Sequence, residues 1–390
     1  MKFLSPVIVL LILALANVEA RTFTNSSGKA IEAEVVEISG DEVVLKMGAK
    51  NFNVPISSLS KEDREFLTDW GKKNSGDKAS SPAADVEANW DAEWPKAISA
   101  DISQEIEVIK EDESTSEYIY ASDHYEFICD VKLNTSVVKR FSLLFEATNQ
   151  YVRELPLGMT KPFREERHKI HLFELKDTYH SKGGPQGSGG VYISRGGEGD
   201  ILVPLTSLGV KKVGSNFSVD YDKENSTLSH EIAHQITDYE YYAPGSRGWF
   251  TEGMAEYIAQ SGYRSGKFNV DDINKIKEYV TAYGEKNSGG RNLGEEINAP
   301  ALKDFMTQPY ESFTSNANFN YGMGLLVAYY FFHMDGEKDA ARIKSFLKGL
   351  KDGKKGDEAF EPLLDSRSFD ELEADITKSW RSRGIRINFG

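Results

Sequence analysis

Two histidines and a glutamate occur at a spacing that suits metal-assisted hydrolysis. Residues 230–234 read His-Glu-Ile-Ala-His, the pattern H-E-x-x-H. On a helix, residues four apart lie on the same face, so His230 and His234 can bind one metal ion. Glu231 is offset from that face and can act as a base on a water beside the metal. With 7 His and 61 acidic residues, chance yields about 0.02 such motifs in a chain of this composition, so the match is specific.

A third ligand and a supporting acid are expected on a second helix. Hydrolytic zinc sites combine imidazoles with a carboxylate or a further His, and keep a water in the fourth position. Glu252 is the candidate carboxylate, and Glu256 lies one helical turn after it on the same face. Burying His230, His234 and both glutamates without a cation would be costly, which favours a metal over two buried polar histidines. For Glu256 the alternative is a surface or capping carboxylate.

The elements that hold these residues can be predicted from the flanking sequence. Ile232, Ala233 and Ile236 recur at helical spacing and predict an amphipathic helix around the motif. The candidate N-caps of this helix are Asp222, Asn225 and Ser226. Pro244-Gly245 is expected to end it, and a second helix is expected to begin at Thr251. Two consecutive helices would then bring both halves of the site together.

The motif and the segment after it resemble the gluzincin metallopeptidases. HEIAHQ is followed by WFTEGMAEY at residues 249–257, which is similar to the H-E-x-x-H and W-x-x-E-G-x-A-E-Y of the peptidase MA-like group. The resemblance covers residues 115 to 385. It implies a zincin-like catalytic domain, in which a small mixed sheet and the H-E-x-x-H helix precede a mainly helical lobe.

By position, this resemblance implies a role for each residue of the site. The zinc ligands would be His230, His234 and Glu252. Glu231 would be the general base for a zinc-bound water that attacks a peptide carbonyl. Glu256 falls where thermolysin-like relatives keep an acid that receives a ligand imidazole N–H, a contact that fixes the tautomer and the ring orientation.

The related families also suggest where a substrate would lie. Tyr321 is the candidate donor to the developing oxyanion, because related aminopeptidases place a Tyr at the start of a downstream helix; the alternative is an ordinary buried tyrosine. Residues 189–203 are expected to form an edge strand that pairs with the substrate backbone. Those aminopeptidases carry G-x-M-E-N there, whose Glu holds the substrate amine, whereas residues 189–194 read GGVYIS. A zinc endopeptidase is therefore favoured over an aminopeptidase.

Two other functions remain open from the sequence. A zinc hydrolase of cell-wall or other amide bonds would use the same residues. An inactive metal-bearing protein would bind a ligand without hydrolysis, although every residue needed for hydrolysis is present. The sequence does not separate the first of these from a peptidase.

Four segments can be distinguished along the 390 residues. Residues 1–20 have a basic start, an apolar run and small residues before a cleavage site, which predicts a signal peptide rather than an uncleaved anchor. Residues 21–70 resemble the SH3-like Sla1 homology domain 1, an accessory module of secreted bacterial proteins whose ligand is unknown. Residues 71–92 have the composition of a flexible linker. Residues 93–390 are the peptidase-like domain, so we expect an α+β protein with a small β module in front.

The composition argues against several classes of protein. A net charge of −15 disfavours binding to nucleic acid or to an anionic membrane. Met323–Met334 is very apolar, but Gly324 interrupts it, which fits a buried helix better than a membrane span. Cys129 stands alone and is expected in a strand core, with a pro-segment thiol that caps the zinc as the alternative. With the leader, these features favour a secreted or periplasmic bacterial protein. Its expected partners are a peptide or protein substrate and the ligand of the SH3-like module.

Overall fold

The chain divides into two compact units, Met1–Pro82 and Ala83–Gly390. A computed structural model describes residues 21–25, 29–39, 42–47, 50–74, 89–101, 103–161, 167–195, 198–220, 226–243, 245–282 and 290–390. The predicted leader and most of the predicted linker lie outside the described residues. Helices and several small sheets are mixed in the structure, so the α+β class is confirmed.

The first unit is an antiparallel meander followed by a helix. Its strands, paired in chain order, are β1 (Arg21–Thr24), β2 (Ala30–Ser39), β3 (Glu42–Met47) and β4 (Lys50–Pro55). Helix α1 spans Lys61–Asn74. Alternate residues of the strands form a small core with Phe23 and with Leu67 of α1. The strand β1 is too short to show an alternating pattern in the sequence.

A reciprocal pair of hydrogen bonds caps the start of α1. Ser60 Oγ donates to Asp63 Oδ2 at 2.7 Å, and the Asp63 N–H donates back to Ser60 Oγ at 3.2 Å. The helix continues to Asn74, beyond residue 70, where the SH3-like resemblance ends. The first residues of the predicted linker are therefore helical. A single glycine, Gly71, costs only about 1 kcal/mol inside a helix and does not stop it.

A six-stranded mixed sheet is the largest sheet of the second unit. Its strand order is β10-β11-β9-β8-β7-β6, with β9 parallel to both of its neighbours and the other pairs antiparallel. In chain order, the strands of this sheet are β6 (Glu107–Asp112), β7 (Glu117–Ala121), β8 (Tyr125–Cys129), β9 (His168–Phe173), β10 (Val191–Arg195) and β11 (Glu198–Pro204). The short strand β5 (Ala97–Ser99) precedes them and is not part of this sheet. Helices α2 (Thr135–Glu154) and α3 (Lys176–Ser181) occur between them. The strand β10 therefore lies at an edge.

The segment that leads to Cys129 forms two strands. The run from Tyr118 to Val131 forms β7 and β8, because the Ser122 N–H turns back to the Tyr125 carbonyl at 3.0 Å. Cys129 ends β8 with 2 % of its surface exposed, within the core. This confirms the strand-core prediction for Cys129.

A helical lobe follows the sheet. Its helices are α4 (Ser226–Ile236), α5 (Trp249–Ala259), α6 (Ile273–Thr281), α7 (Leu302–Thr307), α8 (Tyr310–Ser315), α9 (Ala317–His333), α10 (Ala341–Lys351), α11 (Asp357–Leu364) and α12 (Phe369–Arg381). Short sheets are interspersed. The strand β12 (Val210–Val213) pairs with β13 (Asn216–Val219), and β16 (Glu296–Ala299) pairs with β17 (Arg386–Phe389). The strand β14 (Gly262–Arg264) pairs with β15 (Lys267–Asn269), which also pairs with β5. Among the described residues, no helix is long and apolar enough to cross a membrane.

Helices α4, α5 and α9 place the candidate site. The inner face of α4 is buried against the sheet and α2 through Leu228, Ile232, Ala233 and Ile236. Every residue of α5 is buried, and α5 packs along α9. At Gly253 a Cβ would lie 2.3 Å from the Gly324 carbonyl oxygen, so the two helix backbones are in direct contact.

The predicted ends of the two site helices need correction. Helix α4 stops at Ile236 rather than near Pro244-Gly245, because Thr237 pairs with Thr160 and the Asp238 N–H donates to the Met159 carbonyl at 2.7 Å. The candidate caps Asp222 and Asn225 lie outside the described residues, and Ser226 is the first helical residue. Helix α5 begins at Trp249 rather than Thr251, whose Oγ1 instead accepts the Gly248 N–H at 3.0 Å.

Candidate metal centre

Three donor atoms of the predicted ligands converge on one point. His230 Nε2 lies 3.0 Å from His234 Nε2 and 3.0 Å from Glu252 Oε2. His234 Nε2 lies 3.1 Å from the same carboxylate oxygen. Donors bound to one tetrahedral ion at zinc distances are roughly 3.3 Å apart, so this triangle has the size of one face of such a site. Among the described residues this is the one cluster of its kind, and all three residues are buried.

The helical spacing explains this convergence. His230 and His234 project from the same face of α4, and Glu252 reaches them from α5, which packs beside it. The sequence prediction of these three residues as one ligand set is thus consistent with their placement. The three ligand atoms lie close enough together to share one cation, which would satisfy these buried polar groups.

A tyrosine lies behind His234. The Tyr242 hydroxyl donates to the backbone carbonyl of His234 at 3.0 Å, and its oxygen lies 3.2 Å from His234 Nδ1. A proton on Nδ1 can therefore be donated to Tyr242, which leaves Nε2 as the free donor atom. Burial raises the pKa of Tyr242 well above its usual value, with Glu252 adding to the shift, so the hydroxyl stays neutral.

A charged group lies behind His230. Its Nδ1 is 3.1 Å from Glu256 Oε1, which is an ion-pair distance. Glu256 in turn accepts from Arg291 Nη2 at 2.9 Å and from the Tyr279 hydroxyl. Glu256 is only 4 % exposed, so the surface-carboxylate alternative is wrong.

The carboxylates make the site favourable for positive charge. Burial alone would lower the pKa of His230, but Glu252 and Glu256 raise it to about 10. Burial opposes ionisation of Glu252, yet His234 and His230 hold its pKa well below the usual value. Burial likewise opposes ionisation of Glu256, whose pKa is lowered by His230 and Arg291. The two carboxylates thus favour positive charge at the ligand atoms, whether it is carried by a proton or by a metal ion.

The second oxygen of Glu252 is also engaged. The Tyr310 hydroxyl, at the start of α8, donates to Glu252 Oε1 at 2.8 Å. This leaves Oε2 directed at the two imidazoles. Burial raises the pKa of Tyr310, with Glu252 adding to the shift, so the phenol remains a donor. The carboxylate is thereby oriented to offer one oxygen to a metal.

Glu231 faces the cleft beside the ligands. Its Oε2 accepts the backbone N–H of Tyr192 at 2.8 Å. Because Tyr192 belongs to the edge strand β10, this contact fixes the candidate base against the strand expected to hold substrate. Of the predicted pairing segment 189–203, only β10 lies at the edge, since β11 is paired on both sides.

Tyr321 also borders the cleft. Its ring lies parallel to that of His230, with 5.9 Å between centroids and 8° between planes. It lies one turn inside α9, which begins at Ala317, rather than at the helix start as predicted. Burial raises the pKa of Tyr321, and Glu252 adds to the shift, so its hydroxyl is protonated. A role as donor is compatible with this position.

The open space before the ligands is a cleft of about 420 Å³. It is lined by Lys161, Val191, Tyr192, His230, Glu231, His234, Thr237, Tyr239, Tyr242, Arg247, Glu252, Tyr310 and Tyr321. Every predicted ligand, the predicted base and Tyr321 are among these residues, while Glu256 lies behind His230.

Sequence reasoning missed the groups that support the ligands. Tyr242, Tyr279, Arg291 and Tyr310 come from four separate segments and belong to no spacing pattern. No family model and no curated protein matches this chain. The function is therefore argued from the geometry of the site.

Proposed function

We propose that this protein is a zinc-dependent metallopeptidase of the gluzincin type, more suited to internal cleavage than to removal of N-terminal residues. The observation that carries the proposal is the triangle of two imidazole nitrogens and one carboxylate oxygen, with Glu231 beside it in an open cleft. This donor set is the one that hydrolytic zinc sites use. A zinc ion bound there would supply a Lewis acid and lower the pKa of a coordinated water.

Glu231 is assigned as the general base. It lines the cleft next to the ligands, and its contact with the Tyr192 N–H uses one of its two oxygens. The other oxygen can accept a proton from the attacking water and deliver it to the leaving amine. Holding the carboxylate by a backbone group fixes its position without a competing charge.

The edge strand β10 is assigned as the substrate platform. Tyr192 directs its N–H away from β11, and alternate residues of a strand point the same way, so Ser194 presents its backbone groups to the same side. An extended peptide can add to such an edge by main-chain hydrogen bonds, which accept varied side chains. No acidic residue occurs in Val191–Ser194 to hold a substrate amine.

Tyr321 is assigned as the hydrogen-bond donor to the oxyanion. Its protonated hydroxyl lies in the same cleft as the ligands, on a helix fixed against α5. Tyr310 also lines the cleft, but its proton is already directed at Glu252. A donor of this kind contributes about 2.7–4 kcal/mol to stabilising a tetrahedral intermediate.

The test is cleavage of casein and of N-blocked peptides by the chain without residues 1–20. We expect cleavage that a chelator abolishes, that zinc restores, and that Glu231→Gln reduces by several orders of magnitude while the zinc content is kept. Equal cleavage by Glu231→Gln would refute the assignment. Glu278→Gln, an exposed acid on α6, is the matched control. If only amides of cell-wall fragments were cleaved, the alternative zinc hydrolase would be favoured.

Metal analysis tests the ligands separately. His230→Ala, His234→Ala and Glu252→Ala should each lower zinc content, since each removes one of three converging donors. Unchanged zinc content and affinity in Glu252→Ala would show that the third ligand lies elsewhere. We further propose that the chain is exported and that residues 21–70 are an accessory binding module, as their sequence resemblance implies.

A further inference from the structure

We propose that Arg247 selects substrates that carry a carboxylate next to the scissile bond. This inference rests on the proposed peptidase function and assigns the substrate class of the same cleft. The carboxylate would belong either to an acidic side chain or to a free C-terminus. Both sources present the same chemistry to an arginine, namely two oxygens that match the guanidinium fork.

The first support is the position of Arg247. It lies just before α5, lines the cleft and has an exposed side chain. Its Cζ atom lies 4.3 Å from the centroid of the Tyr310 ring. The hydroxyl of the same tyrosine donates to the ligand Glu252 at 2.8 Å, so the guanidinium is one aromatic ring away from the metal site. A group bound by Arg247 would thus be close to the reacting bond.

The second support is that the charge of Arg247 has no ion-pair partner among the described residues. In the part of the chain that the structure describes, no carboxylate lies within ion-pair distance of its guanidinium. Other arginines near the site differ in this respect, since Arg291 is paired with Glu256 at 2.9 Å. Contact with the Tyr310 ring holds the guanidinium near the ligands, and its N–H donors can still bind a ligand.

The third support is that the charge expected in the metal-bearing cleft is opposite in sign to the net charge of the whole chain. The ionisable residues that line the cleft, apart from the histidines and tyrosines, are Lys161, Glu231, Arg247 and Glu252. Their charges cancel, so a divalent ion in the site would make the cleft positive, although the whole chain carries −15. A cleft of one sign with low-dielectric walls raises the local concentration of a substrate of opposite sign. An acidic chain would otherwise repel such substrates.

The experiment uses paired fluorogenic peptides with the zinc-loaded chain lacking residues 1–20. One arm compares Glu with Gln at each position flanking the scissile bond, in peptides with amidated C-termini. The other arm compares a free C-terminus with an amide in peptides that have only neutral residues. We expect kcat/KM to favour the carboxylate member of at least one pair by about 10-fold, the size of a charge-assisted hydrogen bond. The arm that shows the preference identifies the source of the carboxylate.

Variants of Arg247 test whether this residue causes the preference for peptides that carry a carboxylate. In Arg247→Gln the ratio of kcat/KM between the paired peptides should fall to about one, mainly through KM, and Arg247→Lys should retain part of it. Lys267→Gln, which removes an exposed cation on β15 outside the cleft, should leave the ratio unchanged. A merely structural Arg247 would change both members of each pair equally. Selectivity that survives Arg247→Gln, or no selectivity in the wild type, would overturn the inference.

Failure of the proposed function is distinguishable from failure of this inference. If the wild type cleaves no peptide, the peptidase assignment is wrong, and direct binding decides the role of Arg247. The same paired peptides are then titrated into the Glu231→Gln protein and into the Glu231→Gln, Arg247→Gln double variant. Tighter binding of the carboxylate peptides that is lost in the double variant supports the inference. Equal binding in both proteins contradicts it.

Discussion

His230 and His234 project from one face of the same helix, but the groups behind their Nδ1 atoms differ in charge. His234 faces the neutral hydroxyl of Tyr242, which also binds the backbone of α4. His230 faces the carboxylate of Glu256, which is held by Arg291 and Tyr279. A carboxylate partner increases the basicity of a ligand imidazole, whereas a phenol mainly orients it. The two ligands are therefore fixed by different means, one electrostatic and one directional.

Arg291 links the charged support of His230, which consists of Glu256 and the groups that hold it, to the cleft. Besides its ion pair with Glu256, its guanidinium lies 5.1 Å from the ring centroid of Tyr321. The Tyr321 ring is itself parallel to that of His230. The support of His230 thus also packs against the proposed oxyanion donor.

The largest expected effect of this difference is on the pH dependence of metal binding. With the pKa of His230 raised to about 10 by Glu252 and Glu256, the metal must displace a proton at neutral pH. Affinity should therefore rise about 10-fold per pH unit from about pH 6.5 to pH 8.5, and level off once the pH passes the pKa. Calorimetric titration in buffers of different ionisation enthalpy would count the protons released. Affinity independent of pH over this range would contradict the charged support.

The next largest effect is expected for Glu256→Gln. Loss of the carboxylate should lower metal affinity about 10- to 100-fold, as for other groups that orient metal ligands. It should also reduce the pH dependence, because the proton on His230 would be held less tightly. Competition with a chelator of known affinity measures the change, and Glu278→Gln serves as the exposed control on α6. An unchanged affinity would show that Glu256 does not support His230.

A smaller effect is expected for Tyr242→Phe. The substitution removes one neutral hydrogen-bonding group behind His234, which corresponds to about 1 kcal/mol, or about a 5-fold loss of affinity. The pH dependence of binding should stay as in the wild type, because the carboxylates beside His230 are kept. The same chelator competition applies. A loss of metal affinity larger than that of Glu256→Gln would show that Tyr242 supports its ligand more strongly than Glu256 does.

The part of the site that could be predicted is the part encoded by local spacing. The ligands on α4 are four residues apart, and Glu252 and Glu256 lie within one segment, so helical geometry alone relates each pair. Tyr310, by contrast, meets Glu252 only through the tertiary packing of α8, and no periodicity links the two. Arg291 follows a segment outside the described residues and is equally unrelated to the motif by spacing. Contacts of this kind depend on how helices pack, which a single sequence does not display.

In the fold, too, the features with a repeating local pattern are the ones that the sequence predicts. Long amphipathic segments such as α2 and α12 are recognisable because several turns repeat one pattern, whereas α9 is recognisable as a long and almost wholly apolar run. The short strands β14 to β17 have three or four residues each, too few to establish alternation. The predicted end of α4 was also wrong. The helix ends at Ile236 because Thr237 pairs with Thr160, before the expected stop at Pro244-Gly245.

The contact of Gly253 with Gly324 bears on what metal binding does to the protein. It fixes α5, which carries Glu252, against α9, which carries Tyr321, by backbone atoms rather than by side chains that could rearrange. The ligands are thus held by the buried core, unlike those of small zinc modules whose folding depends on the metal. A chelated chain should remain folded. Metal should then raise its free energy of unfolding only by mass action, about 2.7 kcal/mol at a free ion concentration one hundred times Kd.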